Sequence, residues 1–481
     1  MSLHCRFLDQ LGKRQQHAAL PFPLKNDTRP LPQRLPICQN RTPIRGGISD
    51  SHHLAPMIIA ALKETFPGER RVALVPGVAA ALKKKGLDVI IESGAGVAAG
   101  FPDEQYVAKG AKIVDSRADA FAQADVIVQV RMLGANGPQG SSDLDLARSG
   151  QIVLAMCDPL GSAESFHAAA EKNIALFALE LIPRITRAQA MDVLSSMATI
   201  AGYRAVLTGA MELPKMFPMI TYAAGMLRPA KVFVIGDGVA GLRAIATAKQ
   251  LGGVVSGHDI RPTSREEVQS VGAKFVELPL EGETQDAGGY AKKLTDEDYD
   301  RQRKIIAEVC AESDVVISTA AIPGRQSPLL ITEEAVRGMA PGTVIVDLAA
   351  ERGGNCALTK ADERVVEGGV TIVGPTNLPS EVPAHSSEMF ANNLLKFVNI
   401  MCDDGKLNID QTDEIVSGTL VTIGGEIVHD RIRSILGMEP LERRGGFDKV
   451  EASQDDAADE STPSDEGSEL RMECEEDEEQ A

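Results

Sequence analysis

Short apolar runs recur along the chain, and stretches of helical character separate them. Between residues 57 and 374 there are eleven such runs: MIIAAL, DVIIES, DVIVQV, QIVLAM, IALFAL, KVFVIG, GVVSGHD, AKFVEL, DVVIST, TVIVDL and VTIVG. Alternating strands and helices predict parallel sheets with helices on both faces. Because eleven strands are too many for one comfortable doubly wound sheet, the sequence predicts an α/β fold with two doubly wound parallel-sheet domains.

The composition agrees with this fold class and argues against several classes of protein. Apolar residues make up 43% of the chain and aromatic residues 4%, with no Trp, and such a composition suits α/β layers. No apolar run approaches the roughly 18 to 20 residues that a membrane helix needs, so we expect no direct membrane insertion. The seven cysteines form no C-x-x-C pair, which predicts free thiols in a reducing compartment and no metal site.

The net charge of −19 is spread unevenly over two tails and a body. Residues 1–56 carry eight basic and three acidic residues with seven prolines, which predicts a basic, disordered extension. Alternatively, translation begins at Met57, and N-terminal sequencing would decide between the two. Residues 438–481 are predicted to be an acidic, disordered tail. The body between them is also acidic, which argues against nucleic acid as the main partner.

The stretch VFVIGDGVAGLRAIATAKQLGG, residues 232–253, has the outline of a dinucleotide-binding loop. Its G-x-G-x-x-G glycines are Gly236, Gly238 and Gly241, and they lie between a predicted strand and a predicted helix. Glycines allow a close backbone approach to pyrophosphate, and the helix N-terminus supplies N–H donors. The alternative is a glycine-rich turn with no ligand. The context favours a Rossmann-like domain that binds a dinucleotide.

The strand that follows the loop predicts which dinucleotide is bound. It ends at Asp259, which lies 18 residues after Gly241 and is placed to hold the adenosine ribose hydroxyls. A carboxylate there accepts from a 2′-hydroxyl and repels a 2′-phosphate. The sequence therefore predicts a preference for NAD(H) over NADP(H), while the positive charge of Arg261 nearby would by itself favour a 2′-phosphate.

One residue of the loop does not fit a phosphate site, because Asp237 brings a negative charge between the first two glycines. We expect its side chain to turn away from the phosphates and leave the backbone N–H groups to face them. Asp237→Ala is then expected to leave NADH affinity unchanged or slightly higher.

Longer segments between residues 57 and 437 match those of a known protein family. They are KETFPGERRVALVPG, ESGAGVAAGFPDEQY, ELIPRITRAQAMDVLSSMATIAGYRAV, IGDGVAGLRAIATAKQLG, HDIRPTSREEVQSVGAKFVEL, AGGYAKKL, AAIPGRQSPLLITEEAV, VIVDLAAERGGNCALT and VGPTNLPSEVP. In these segments the chain resembles the alanine dehydrogenase/pyridine nucleotide transhydrogenase family, and more closely the NAD(H)-binding component of its proton-translocating transhydrogenases. The resemblance implies a first domain from 57–185 plus 375–437, a nucleotide-binding domain from 186–374, and an NAD(H) site in the cleft between them. It also implies a homodimer.

Differences from the alanine dehydrogenase branch bear on the reaction. An amino-acid dehydrogenase needs a general acid/base, which that branch places on a lysine and a histidine. The resemblance puts Gln129 and Pro159 at these two positions, while Arg71 is kept. A transhydrogenase passes hydride directly between two nicotinamides and needs no base, which favours that activity.

The resemblance also implies roles for particular residues. In the segment PRITRAQAMDVLSS, Arg184 and Asp192 would orient the nicotinamide, Gln189 would reach toward the second nucleotide, and Ser195 would add a polar contact. An ordinary helix start is the alternative interpretation of this segment. Further cofactor contacts would come from Val239, Ile260, Arg261 and Ala321, and from a mobile loop that contains Gly289 and Tyr290.

A chain with one nucleotide fingerprint and no membrane helix would be one subunit of a divided enzyme. The resemblance implies partners that bind NADP(H) and span the membrane, and a cytoplasmic location at the inner face of the membrane through those partners. An alanine dehydrogenase-like enzyme and a non-catalytic NAD(H)-sensing module are the alternatives. Gln129 and Arg243 depart from the lysine and glutamine expected at these positions, and nothing in the sequence explains either.

Overall fold

The computed structural model describes residues 56–441, apart from 262, 278–294 and 322–323. Both predicted tails, except for residues 56 and 438–441, and the loop residues Gly289 and Tyr290 lie outside the described residues. The strands are β1 Ile58–Ala61, β2 Asp88–Glu92, β3 Lys112–Val114, β4 Val126–Arg131, β5 Ile152–Met156, β6 Ala175–Ala178, β7 Ile220–Tyr222, β8 Gly225–Leu227, β9 Lys231–Ile235, β10 Val254–His258, β11 Lys274–Phe275, β12 Val315–Ser318, β13 Val344–Asp347, β14 Arg364–Glu367, β15 Val370–Val373, β16 Cys402–Asp403, β17 Lys406–Leu407, β18 Leu420–Ile423 and β19 Glu426–Ile427.

The α-helices in the same ranges are α1 Pro76–Lys84, α2 Asp103–Ala108, α3 Arg117–Gln123, α4 Phe166–Glu171, α5 Val193–Glu212, α6 Val239–Gln250, α7 Ser264–Ser270, α8 Asp296–Ala311, α9 Glu333–Arg337, α10 Pro383–Met401, α11 Glu414–Thr419 and α12 Asp430–Ile435. None of these helices is both long enough and apolar enough to cross a bilayer, within the part of the chain that is described.

The first large sheet has eight strands in the described residues, in the order β19–β18–β6–β5–β4–β1–β2–β3. Strands β1 to β6 are all parallel, and β1 lies between β2 and β4, so that Ile59 is opposite Val89 and Val126. β18 returns late in the chain and pairs antiparallel with β6, and β19 pairs antiparallel with β18. The spatial order of the parallel strands is therefore 3-2-1-4-5-6, the doubly wound order of a Rossmann fold.

The second large sheet, again counted over the described ranges, has seven strands in the order β11–β10–β9–β12–β13–β15–β14. All neighbours are parallel except β14, which pairs antiparallel with β15 at one edge. If the six parallel strands β9, β10, β11, β12, β13 and β15 are numbered 1 to 6 along the chain, their spatial order is again 3-2-1-4-5-6. The direction of winding reverses between β9 and β12, and ligands bind at this point in open α/β sheets.

Burial on both faces explains why the strands are continuous apolar runs. In β4, for example, Val126, Val128 and Val130 lie in one core cluster and Ile127 lies in the cluster on the opposite face, and all four are fully buried. Parallel strands covered by helices on both sides have this composition. The polar residue of this strand, Gln129, is also fully buried.

Each of the eleven predicted runs contains a strand, five in the first sheet and six in the second. The prediction of two Rossmann-like parallel-sheet domains is confirmed. The boundaries at 185/186 and 374/375 stay a prediction, because α5 belongs to both cores: Val193 and Met197 pack in the first domain, whereas Ala205 and Val206 pack in the second.

The two sheet domains also meet through the loop that follows β5. Asp158, with φ 53°, forms an ion pair with Arg352. Leu160 lies against Gly324, where an added Cβ would come within 2.5 Å of the Leu160 Cβ. These contacts hold the loop after β5 against the second sheet domain.

Candidate functional site

A cavity of about 260 Å³ lies at the carboxyl ends of β9, β10 and β12. This is the point where the winding of the second sheet reverses, so the topology alone makes it the expected ligand site. The residues that line it are Arg184, Ile235, Gly236, Gly238, Val239, His258, Asp259, Ile260, Arg261, Tyr299, Gln302, Thr319, Ala320, Ala321, Pro328 and Leu330.

The three fingerprint glycines each have a different steric reason to be glycine. Gly236 directly follows β9 with φ +90°, and its carbonyl accepts a hydrogen bond from the Thr319 hydroxyl at 2.7 Å. A Cβ at Gly241 would lie 1.8 Å from the Gly236 carbonyl oxygen, which closes the turn against helix α6. A Cβ at Gly238 would meet nothing within 4 Å, yet Gly238 lines the cavity. The absence of a side chain at Gly238 therefore leaves space that a ligand can occupy, and no other part of the protein fills it.

Helix α6 begins directly at this loop, with Gly238 as its N-cap and no side-chain capping bond. Free N–H groups and the positive end of a helix of this length suit an anionic ligand such as pyrophosphate. The loop, the cavity and the helix N-terminus together fit the phosphates of a dinucleotide.

Asp259 lies at the cavity and is held by Arg261. Its carboxylate accepts from the Arg261 N–H at 2.9 Å, from Nε and Nη2 of the same side chain at 3.1 Å each, and from the Asp237 N–H at 2.8 Å. Four donors fill the acceptor sites of a carboxylate. A ribose hydroxyl can therefore bind Asp259 only if Arg261 releases part of this contact.

Asp237 is fully buried and is not among the described residues that line the cavity. A Cβ at Gly257 would lie 2.9 Å from Asp237 Oδ1 and 2.8 Å from Ile245 Cδ1, so the carboxyl group and Ile245 fill the space beside β10. Neither carboxyl oxygen has a hydrogen-bond partner among the described residues. Burial, and then the negative charge of Asp259, raise the pKa of Asp237 to about 8.

This burial predicts a pH-dependent stability. Because the pKa of Asp237 rises from 3.8 to about 8 on folding, its stabilising contribution is complete below pH 3.8 and is lost as the pH rises toward 8. Asn does not ionise, so the variant does not lose this contribution. The difference in free energy of unfolding between Asp237→Asn and the wild type should therefore shift by about 2–3 kcal/mol in favour of the variant from about pH 5.5 to about pH 8.5. Denaturant titration at both pH values measures this difference.

Glu104→Gln is the control, because Glu104 is an exposed residue of α2 and its replacement should not change the pH dependence of stability. An Asp237→Asn variant whose stability follows the wild type at both pH values would contradict the prediction.

The loop before α5 and the start of that helix contain the four residues to which the resemblance gives roles at the nicotinamide, and they differ in whether they line the cavity. Arg184 is exposed and lines the cavity, whereas Gln189, Asp192 and Ser195 are not among the described residues that line it. Asp192 is the N-cap of α5: its carboxylate accepts from the Ser195 N–H at 2.9 Å and from the Ser195 hydroxyl at 2.6 Å. Gln189 is exposed on the same loop.

Of the remaining predicted contacts, Val239, Ile260 and Ala321 line the cavity, and Gly241 lies behind it under the turn. Several lining residues were not selected from the sequence, among them His258, Tyr299, Gln302 and Thr319. Thr319 has a signal in the sequence, since it is the last residue of the predicted run DVVIST and so lies at the carboxyl end of a parallel strand. No local pattern indicates Gln302.

The first domain holds the positions that an amino-acid dehydrogenase would use. Arg71 is 2% exposed, and its guanidinium donates to Glu69 at 2.5 and 2.7 Å. Burial opposes the ionisation of Glu69, but hydrogen bonds and charge from Arg71, together with the charge of Arg131, lower its pKa to about 2. Arg71 is therefore paired with Glu69, and a substrate carboxylate would have to displace this contact.

The positions expected for the general acid/base give the same result. Gln129 is fully buried and donates to Asp143 Oδ2 at 3.0 Å, and Pro159 carries no proton that could be transferred. No group of three or more His, Cys, Asp and Glu side chains in the described ranges is arranged to hold a metal ion.

Comparisons with known proteins agree with this geometry. Family models described as "Alanine dehydrogenase/PNT" match residues 60–201 with the N-terminal domain and residues 205–430 with the C-terminal domain. The chain is 45% identical over 377 residues to an NAD(P) transhydrogenase subunit alpha protein of Rhodospirillum rubrum, a match that covers 78% of this chain and 98% of that protein.

Two solved structures have the same fold. A transhydrogenase from Sinorhizobium meliloti is 41% identical with a TM-score of 0.67, and the match covers 78% of this chain and 99% of that one. An L-alanine dehydrogenase is 25% identical with a TM-score of 0.66, over 79% of this chain and 99% of that one. The two family models and the extensive match to the bacterial subunit lead to one conclusion: the chain belongs to the alanine dehydrogenase/pyridine nucleotide transhydrogenase family.

Proposed function

We propose that this chain is the NAD(H)-binding subunit of a proton-translocating NAD(P) transhydrogenase, and that it passes hydride from NADH to NADP⁺ held by a partner subunit. The observation that carries the proposal is the open Gly238 position in a cavity at the winding reversal of the second sheet. The names of the relatives and the loss of an acid/base pair at Gln129 and Pro159 support the transhydrogenase branch.

The described residues suggest how the chain holds NAD(H). The backbone of Gly236 and Gly238 and the start of α6 would bind the pyrophosphate, and Asp259 would accept the adenosine ribose hydroxyls after Arg261 shifts. Arg184, which reaches the cavity from the loop that leads into α5, would orient the nicotinamide. The bound cofactor itself supplies the hydride, so the chain's task is to position it and to exclude water.

The loop before α5 suits a second role in contact with the partner. Gln189 and Arg184 are exposed on it, and Asp192 fixes its end by capping α5. An exposed polar side chain beside the cofactor cavity is placed to meet a nucleotide bound on another protein. We assign this face to the NADP(H)-binding subunit.

A different surface supports the homodimer. Strands β7 and β8 form a two-stranded hairpin outside both large sheets, and its side chains Tyr222, Met226 and Leu227 are 54%, 59% and 44% exposed. A hairpin with several exposed apolar side chains is a typical subunit contact. We assign it to a second copy of this chain. Attachment at the inner face of the membrane would then come from the membrane-spanning partner subunits.

The proposal predicts a divided activity. The purified chain should bind NADH, and it should transfer no measurable hydride to NADP⁺ until an NADP(H)-binding transhydrogenase component is added. Stopped-flow absorbance of a nicotinamide analogue measures the transfer with and without that component. Turnover of NADH with NADP⁺ by the isolated chain would disprove the division of labour, and reduction of NAD⁺ with L-alanine would favour the alanine dehydrogenase alternative.

A further inference from the structure

The loop that carries Gln189 is fixed to the first domain on its buried side. It forms one short 3₁₀-helix, Thr186–Met191, directly before α5. Ala188 is fully buried in the core of the first domain. The side chain of Asn393, on α10, donates from Nδ2 to the Ala190 carbonyl at 2.9 Å. The backbone that directly follows Gln189 is therefore held to α10.

On its exposed side the same loop is held by an ion pair that the function proposed above does not use. The Arg187 guanidinium donates twice to Asp413, from Nη1 to Oδ2 at 2.6 Å and from Nη2 to Oδ1 at 2.9 Å. The two residues are 226 positions apart, so the pair joins the loop to the segment that returns to the first domain late in the chain. A bidentate contact between arginine and a carboxylate fixes direction as well as distance.

Asp413 is held in place by the helix that follows it. It is the N-cap of α11, and its Oδ1 accepts from the Ile415 N–H at 2.8 Å and from the Val416 N–H at 3.4 Å. Its side chain is 24% exposed, whereas the Arg187 side chain is 52% exposed. The carboxylate is thus the fixed partner, and the longer arginine reaches it from the loop. The position of α11 therefore determines where this side of the loop is held.

The two anchors lie on either side of Gln189 in the sequence. Arg187 precedes it by two residues, and Ala190, whose carbonyl is held by Asn393, follows it directly. Because the Gln189 side chain is exposed, its direction before a partner arrives depends on the backbone that carries it. Groups that must meet a reacting partner in one geometry need such support from the residues around them.

We propose that Arg187 and Asp413 are positioning residues, whose ion pair holds the loop before α5 in the form that presents Gln189 to the nucleotide on the partner subunit. The inference rests on the proposed function, because it requires hydride transfer to that subunit. Neither residue is among the described residues that line the cavity, so loss of the pair should leave NADH affinity unchanged. Because Ala188 and Asn393 still hold the loop, the transfer rate should fall about tenfold, less than the roughly 100-fold of a full 1 Å misplacement.

A double-mutant cycle tests this coupling. Arg187→Met keeps an unbranched side chain and removes the guanidinium, whereas Asp413→Ser keeps an N-cap residue but loses the carboxylate that binds both nitrogens. Single-turnover hydride transfer to a saturating NADP⁺-loaded component is measured on the full chain for the wild type, both single variants and the double variant. Each single variant should be about tenfold slower than the wild type, and the double variant also only about tenfold slower, because both changes remove the same interaction.

Asp410→Ser is the matched control. Asp410 is exposed in the turn before α11, and its carboxylate accepts from the Thr412 N–H at 2.9 Å and from the Thr412 hydroxyl at 2.6 Å. Its replacement removes the same charge from the same turn and no described contact with the loop. Asp410→Ser should therefore transfer hydride at the wild-type rate, and a loss as large as that of Asp413→Ser would overturn the inference.

NADH titration and thermal unfolding of the same variants separate positioning from a merely structural role. A structural role would lower NADH affinity and the melting temperature together with the rate, whereas positioning lowers the rate alone. A wild-type rate in Asp413→Ser would overturn the inference. A double variant slowed by the product of the two single effects would overturn it as well, because Arg187 would then act independently of Asp413, as in a direct contact with the partner.

Two further results keep the test decisive. If Asp413→Ser does not fold, Asp413→Asn replaces it in the cycle, since asparagine also caps a helix and carries no charge. Normal transfer by the wild type with no effect of either single change removes only this inference. Failure of the wild-type chain to transfer hydride to the NADP⁺-loaded component removes the proposed function as well.

Discussion

Gly238→Ala should weaken NADH binding about 30-fold and leave the folded protein unchanged. The added methyl group meets no protein atom within 4 Å, and Gly238 has φ −69° and ψ −168°, which alanine adopts without strain. The methyl group would instead occupy the space that the pyrophosphate needs for its close approach to the loop. Overlap of this kind costs about 2 kcal/mol of binding free energy, which corresponds to about 30-fold in affinity.

Two matched Gly→Ala variants make this result specific. Gly77→Ala in α1 also places its Cβ in open space, but far from the loop in sequence and in the other domain, so it should leave NADH affinity unchanged and should not lower stability. Gly241→Ala places its Cβ 1.8 Å from the Gly236 carbonyl oxygen and should lower the melting temperature strongly. Fluorescence titration and thermal unfolding of the three variants give the comparison. Wild-type affinity in Gly238→Ala would show that the phosphates do not approach this loop.

The sequence predicted the centre of each sheet better than its edges. The eleven runs all form parallel strands, and all but β11 have a neighbour on both sides. Burial on two faces makes such strands apolar throughout. The missed strands include β3, β14 and β19, which lie at sheet edges. In β14, Arg364 and Val366 are exposed, so no apolar run marks it.

Those parts of the candidate site that lie at the ends of consecutive strands could be predicted from the sequence. The glycine loop and Asp259 follow directly from consecutive strands, and the structure places them at one cavity. The burial of Asp237 against Gly257 and the pairing of Gln302 with His258 depend on how β10 packs with α8 and α6. Such contacts join distant parts of the chain, and no periodicity or motif encodes them.

Gln189→Ala should leave NADH affinity unchanged and lower hydride transfer to a supplied NADP⁺-loaded component about 100-fold. Gln189 is exposed and does not line the cavity among the described residues, so its loss removes no contact that holds NADH. Its proposed role is to position the second nucleotide, and a misplacement of about 1 Å in a hydride transfer can lower the rate about 100-fold.

Asp192→Ala and Gln105→Ala complete the comparison. Asp192→Ala removes the α5 cap and should lower stability by about 1 kcal/mol, so its transfer rate is interpreted together with its melting temperature. Gln105 is exposed in α2 of the first domain, and its replacement should leave stability and transfer at the wild-type level. Single-turnover transfer and NADH titration are measured on all three variants. If Gln189→Ala transfers hydride at the wild-type rate while its partner component is saturated, the loop does not position the second nucleotide, and the NAD(H)-sensing alternative gains support because the loop then contributes nothing to the reaction.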